Sequence, residues 1–224
     1  MTANTCYQII QYAINKNQDG YLTPDEFRLI INQAQNSFMD YLLGEFQQYQ
    51  YGRPQARVSF GQNETVRQKL TPFIDSPVTL NINAQGLAPY PSNYAAPDAM
   101  YQNSIYMDRV RFVSQDRLFS FLNDPIDPVL TNPIYLIESI YLRFYPQNLG
   151  TAKFSYVKNP NEIVWGFTDS IYGQPVYDAT TSTDPQWYEQ DMLDIIVRAL
   201  RIVGVNLQAE TVAQYANEIK QGGQ

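Results

Sequence analysis

The stretch Asn15-Lys-Asn-Gln-Asp-Gly-Tyr-Leu-Thr-Pro-Asp-Glu-Phe27 decides how the rest of the chain is read. Thr23 has the chemistry of a helix N-cap, Pro24 suits the first helical position, and Glu26 follows three residues after Thr23. This is a capping box, in which a hydroxyl and a carboxylate satisfy backbone donors that the first helical turn leaves orphaned. Downstream, Phe27, Ile31, Ala34, Phe38, Leu42, Phe46 and Tyr49 recur every three or four residues, the period of a helix with one buried face. No strong breaker appears before Gly52 and Pro54, so the spacing predicts a rod from Pro24 to Tyr49, roughly 39 Å long.

On the N-terminal side, residues 5–14 place Cys6, Ile9, Ile10, Ala13 and Ile14 at helical spacing, and Asn15–Leu22 turns that helix into the rod. Past a linker at Tyr51–Pro54, Asn63 can cap a helix carrying Val66, Leu70 and Phe73, which Pro72 and Asp75 end. Residues 77–83 alternate like a strand, Gln85–Pro97 reads as a proline-rich ordered loop, and Ile105–Val113 alternates again. A short helix from Ser114 or Gln115, with Leu118, Phe119 and Leu122, breaks at Asn123–Pro128. Strands are expected at Ile134–Tyr145 (two, or one bent), Lys153–Val157 and Glu162–Phe167, with a turn at Asn159-Pro-Asn, then loop from Gly166 to Thr183. Asp184 and Pro185 start a helix with Met192, Ile195, Ile196, Ala199 and Val203 on one stripe and Gly204 as its stop. A last helix over Ala209–Gln221 completes a helical hairpin.

Helices, grouped strands, then helices indicate an α+β fold with a mostly antiparallel sheet. The expected organisation is an N-terminal helical region over 1–75, a β-rich centre over 76–180 and a C-terminal hairpin over 181–224, within one integrated domain.

Composition narrows the function. Only 17% of the 224 residues are charged, whereas 44% are hydrophobic and 18 are Tyr, a balance that favours protein interfaces, where aromatics are enriched and Lys, Glu and Asp depleted. A net charge of −7 leaves too few cations for a phosphate-neutralising footprint. One cysteine and no histidine exclude an intramolecular disulfide, a Cys/His zinc site and histidine-dependent nucleophilic catalysis. Cys6 is expected to pack against apolar neighbours. No signal peptide or spanning run is visible, so the expected product is soluble and made in the cytoplasm.

Several residues invite chemical readings. Asn15, Asn17, Asp19, Gly20 and Glu26 fall on positions 1, 3, 5, 6 and 12 of an EF-hand calcium loop, with Leu22 at the apolar eighth position. Asn at the first position replaces an anionic ligand, no second loop pairs with it, and the capping box explains Glu26 equally well. Asp124 and Asp127 are paired carboxylates in a proline-rich turn, and Glu138 stands within an apolar strand where burial would demand a partner. Arg109 and Arg111 share a strand face and could meet an anion, although a half-solvated strand accounts for them. No phosphate-cradling loop or nucleophile elbow occurs. The sequence assigns no catalytic, cofactor-binding or metal-ligating residue.

Three stretches together resemble a known family: NKNQDGYLTPDEF running into INQAQNSFMDYLLGEFQQYQ, the pair KFSYVKNPNEIVWGF, and DPQWYEQDMLDIIVRALRIVGVNLQAETVAQYANEIKQ. They are similar to the neck, or head-to-tail connector ring, proteins of short-tailed phages, especially the crAss-like group. The resemblance implies a non-enzymatic virion component without cofactor, made in the host cytoplasm and assembled below the portal, typically as a dodecamer around the DNA. Its implied partners are copies of itself, the portal protein and neighbouring neck or tail proteins, with neither sequence-specific nucleic-acid binding nor membrane contact. The rival readings are a single EF-hand-like calcium-binding adaptor using Asn15–Glu26, and a virion-borne hydrolase using Asp124 or Glu138.

Overall fold

A computed structural model describes residues 1–16, 21–47, 58–102, 108–122 and 128–204. The fold is α+β, in two compact units: a helical unit of Met1–Lys69 with Pro160–Gln224, and a sheet unit of Leu70–Asn159.

The helical unit is built on helices α1 (Ala3–Lys16), α2 (Pro24–Gln47) and α5 (Glu189–Ile202), with α3 (Val58–Leu70) leading out of it. Its first corner follows the expected chemistry. Thr23 N–H donates to Glu26 Oε2 at 2.9 Å, while Glu26 N–H donates back to Thr23 Oγ1 at 3.3 Å, closing the capping box. The Tyr7 hydroxyl donates to the Leu22 carbonyl at 2.9 Å, which ties α1 to the start of α2. Along α2, Phe27, Ile31, Ala34, Phe38 and Leu42 are all buried, as their spacing predicts. Each large side chain among them contributes about 1.5–3 kcal/mol by leaving water. The 24-residue helix runs to Gln47, about 36 Å, and Tyr49 lies outside the described residues.

Other boundaries move, each for a physical reason. The helix expected to open at Asn63 begins at Val58 instead and carries straight through that position. Asp184 does not open α5; its Oδ1 accepts the Ala3 N–H at 2.8 Å and so serves the start of α1, while α5 begins at Glu189. Ile9 faces outward, and Tyr7 takes the buried place on α1. The stop at Gly204 holds: its φ of +75° is the left-handed turn that glycine adopts without strain. The expected helix over Ala209–Gln221 lies outside the described residues.

Of the segment expected as a strand over Glu162–Phe167, only Phe167 belongs to a strand, and Val164 forms an isolated bridge to Thr183. The segment is extended, with Ile163 and Trp165 buried, but side chains of α2 hold it where a neighbouring strand would. The supposed loop after it contains a hairpin, β8 (Phe167–Asp169) and β9 (Pro175–Tyr177).

In the sheet unit, the strands are β1 (Val78–Asn81), β2 (Leu87–Pro89), β3 (Tyr94–Gln102), β4 (Arg111–Phe112), β5 (Ile134–Glu138), β6 (Tyr141–Tyr145) and β7 (Thr151–Lys158). Helix α4 (Gln115–Leu122) connects β4 towards β5. They form two sheets, ordered β1-β7-β3 and β2-β6-β5-β4, and every pairing is antiparallel except β4 with β5. Ile134–Tyr145 is therefore two strands. The region read as a loop, Gln85–Pro97, supplies β2 and the start of β3. Its prolines stand where a missing N–H is tolerated: Pro89 ends a three-residue strand, and Pro97 lies on an edge strand at a shift in register with β7. Gly86, at φ +76°, lets the chain pass so close to the Phe144 carbonyl that a Cβ there would stand 2.7 Å from its oxygen.

The sheet core is Leu80, Met100, Leu142, Phe144 and Phe154 with their neighbours, and a smaller cluster joins Val113, Leu118, Ile134 and Leu136. Phe112 on β4 and Phe119 on α4 are exposed, while Leu118 is buried. Among the described residues no helix is long and apolar enough to cross a membrane.

Candidate interaction surface

The polar and ionisable groups inside the helical unit are engaged in holding it together. Asn32, buried on α2, accepts the Ile163 N–H at 2.8 Å and donates to the Ile163 carbonyl at 2.9 Å, imitating a strand neighbour. Gln35 donates to Asn32 Oδ1 at 2.7 Å and to the Asn161 carbonyl at 3.0 Å, and accepts the Trp187 indole N–H at 3.3 Å. Asp191, only 3% exposed, meets Lys69 Nζ at 2.9 Å, the pairing that makes a buried carboxylate tolerable. Burial pushes the Cys6 thiol up to about 11, which keeps it protonated and a poor nucleophile.

The residues singled out from sequence do not converge. Asn17, Asp19, Gly20, Asp124 and Asp127 lie outside the described residues. Asn15 is exposed at the end of α1, and Glu26 is held by Thr23, whose backbone N–H and hydroxyl keep its carboxyl below the usual range. Glu138, half-buried, has the partner that its setting demanded: the Arg143 guanidinium donates to its Oε1 across the β5–β6 hairpin. Arg111 donates to Asn132 Oδ1 at 2.7 Å and lies over the Phe121 ring, while exposed Arg109 bridges to Tyr101. Among the described residues, no three His, Cys, Asp or Glu side chains are grouped as metal ligands.

Among the described residues, several large apolar and aromatic side chains stand exposed. On α2, the exposed face is charged in its first turn, at Asp25, Glu26 and Arg28, and beyond it carries Leu29, Gln33, Asn36, Ser37, Asp40 and Tyr41. On α5, Leu193 and Val197 stand exposed one turn apart. The sharpest feature is the tip of the β8–β9 hairpin, where Ile171 is 99% exposed and Tyr172 90%. That tip is structured. Ser170 N–H donates to the Gln174 carbonyl at 2.8 Å, Gly173 N–H to the Ser170 carbonyl at 2.9 Å, and Ser170 Oγ accepts the Gln174 N–H at 3.1 Å. At the hairpin's base, Trp165 packs against Phe167 and Tyr177, with ring centroids 6.0 and 5.8 Å away.

The sheet unit has a shallow, open depression of about 440 Å³ lined by Pro128, Val129, Leu130, Thr131, Pro146 and Asn148. Sequence reading passed over both. The readable signal for the tip was a Ser-Ile-Tyr-Gly turn flanked by Phe167-Thr-Asp and Pro175-Val-Tyr, hidden within a stretch dense in turn residues. No protein-family model matches this chain, and no curated protein is detectably similar to it.

Proposed function

We propose that this chain is a structural subunit of a phage head-to-tail connector, a neck ring that joins portal and tail components around the DNA channel. It acts by packing against copies of itself and against the portal and neighbouring neck or tail proteins in the virion, and it carries no reaction. The observation that carries this reading is the placement of large apolar side chains in water: Leu29 on α2, Leu193 and Val197 on α5, and above all Ile171 and Tyr172 on a structured turn. Single exposed apolar residues are common on any surface, whereas two adjacent ones held in water on a structured turn are the material of an interface core. The acidic balance suits a channel wall that must let DNA slide without holding it.

The test is the mass of the purified full-length protein in solution, alone and mixed with the portal complex. A closed ring of about twelve chains, or incorporation only beside the portal, is the expected result. A protein that stays monomeric at every concentration and ignores the portal would overturn the reading.

A second reading, the EF-hand-like calcium adaptor, has in its favour that α1 ends at Lys16 and α2 begins at Pro24, so helices flank the loop. Against it, Glu26 is occupied by Thr23. Calcium titration followed by calorimetry, with Asp19→Ala as control, separates the two: heat and a raised Tm that vanish in the variant would favour the adaptor.

A further inference from the structure

We infer that the β8–β9 hairpin tip is a plug, and that its socket is the Pro128–Thr131 depression on the sheet unit of a second copy of this chain. The inference deepens the ring reading and rests on it for the identity of the partner.

The plug has the properties of an interface anchor. Ile171 and Tyr172 are almost wholly in water, yet backbone and Ser170 hydrogen bonds fix the turn that presents them. Little further ordering is then required on docking, and preordered aromatic residues are the ones that dominate interface energies. Aromatic packing of Trp165 on both strands anchors the hairpin at its base.

The socket answers in apolar character and in charge. Val129, Leu130, Pro128 and Pro146 make its surface mostly apolar. Its rim is marked by a cation. Asn132 closes the turn over the socket through its N–H to the Val129 carbonyl at 2.9 Å, and its side chain holds the exposed Arg111 guanidinium at 2.7 Å. The hairpin carries the matching anion, since exposed Asp169 sits at the last strand pair before the tip. An apolar pair seated in an apolar depression, with opposite charges meeting at the edge, selects this occupant over an indifferent apolar surface.

Such a contact is heterologous, because the two surfaces differ. Repeated by rotation it closes a ring, and without closure it makes open chains. Four full-length variants test it by sedimentation and mass measurement: Tyr172→Asp, Leu130→Asp, Asp169→Arg and Arg111→Asp. Every substituted side chain is exposed, and unchanged circular dichroism and urea unfolding certify folding of each variant.

Tyr172→Asp and Leu130→Asp should each weaken self-association by about thirtyfold or more. Mixing these two variants should give heterodimers and nothing larger, because only one intact plug–socket pair remains between them. Combining Asp169→Arg with Arg111→Asp in one chain should restore part of the association that either loses alone. If the wild type forms open chains that depend on Tyr172, the plug stands and the ring reading falls. If wild-type rings persist unchanged in Tyr172→Asp and Leu130→Asp, the ring reading stands and the plug is overturned. If self-association survives while portal binding is lost, the tip serves a different partner and the proposal is likewise overturned.

Discussion

The two units of this chain meet the same requirement by different means. Each must satisfy backbone donors and acceptors at the edge of an apolar core. In the sheet unit the backbone satisfies itself, since β7 is paired on both sides, by β1 and by β3. In the helical unit the extended segment has backbone pairing at Val164, with Thr183, while at Ile163 and Asn161 the side chains of Asn32 and Gln35 of α2 stand in for a strand. Ladder bonds are indifferent to side-chain identity, so the sheet unit should depend on volume. The helical unit should depend on a few particular amides.

The largest expected effect sharpens the first half of that contrast. Phe154 on β7 is buried and stacks near Tyr94 and Tyr156. Phe154→Ala should cost about 4 kcal/mol through lost burial and the cavity left behind, read as a lower urea midpoint. A loss under about 1 kcal/mol would mean that the sheet core collapses to fill the space.

The second half is tested by Asn32→Leu, which preserves bulk and deletes the amide. The Ile163 N–H and carbonyl lose their partner together, and about 3 kcal/mol should be lost. Both tryptophans of the sequence, Trp165 and Trp187, lie in the helical unit, so their emission reports this change directly. The control is Ser155→Ala in β7. Its hydroxyl, bonded to Asp98 Oδ2 at 2.8 Å, is a side-chain addition to a strand whose backbone is already paired, and about 1 kcal/mol should go. Equal losses from the two substitutions would break the contrast.

That contrast also explains what could be read without a structure. The capping box, the α2 stripe, the α5 stripe and the Gly204 stop are local signals, written within one or two helical turns. They came through. The strands β2 and β3 were obscured because Pro89, Pro91 and Pro97 carry turn chemistry, and only an edge position or a register shift makes a strand proline acceptable. Neither condition is visible in one strand alone. The role of Asn32 depends on Ile163, more than a hundred residues away, and the pairing of Glu138 with Arg143 depends on where the hairpin turns. Of the outward surface, composition announced that aromatic side chains would be plentiful. It could not say that Ile171 and Tyr172 stand at a tip, because exposure belongs to the folded chain.

A smaller effect probes the start of the rod. Thr23→Ala removes the hydroxyl half of the capping box and should cost about 1 kcal/mol at neutral pH. The folded-state pKa of Glu26 lies below its unfolded value, because the Thr23 N–H and hydroxyl favour the charged carboxylate. Its contribution is therefore present above the usual carboxylate pKa and is lost as pH falls through the depressed one. The stability gap between wild type and Glu26→Gln should be widest near neutrality and close on the acid side. A gap that stays constant across that range would show that the carboxylate charge contributes nothing to the cap.

The smallest effect has the opposite sign and concerns the one weak point in the rod. Gly44 lies inside α2, exposed, and a Cβ added there would meet no heavy atom within 4 Å. Glycine in a helix interior is worse than alanine by roughly 0.5–1 kcal/mol, because it surrenders more backbone freedom on folding. Gly44→Ala should therefore raise stability by about that amount, seen as a small rise in Tm. The same substitution at Gly86, with its positive φ and the Phe144 carbonyl in the way, should lower it. If Gly44→Ala left the monomer more stable yet weakened assembly, the bare backbone at this point of α2 would be kept for the close approach of a neighbouring chain, since an added methyl meets nothing within its own.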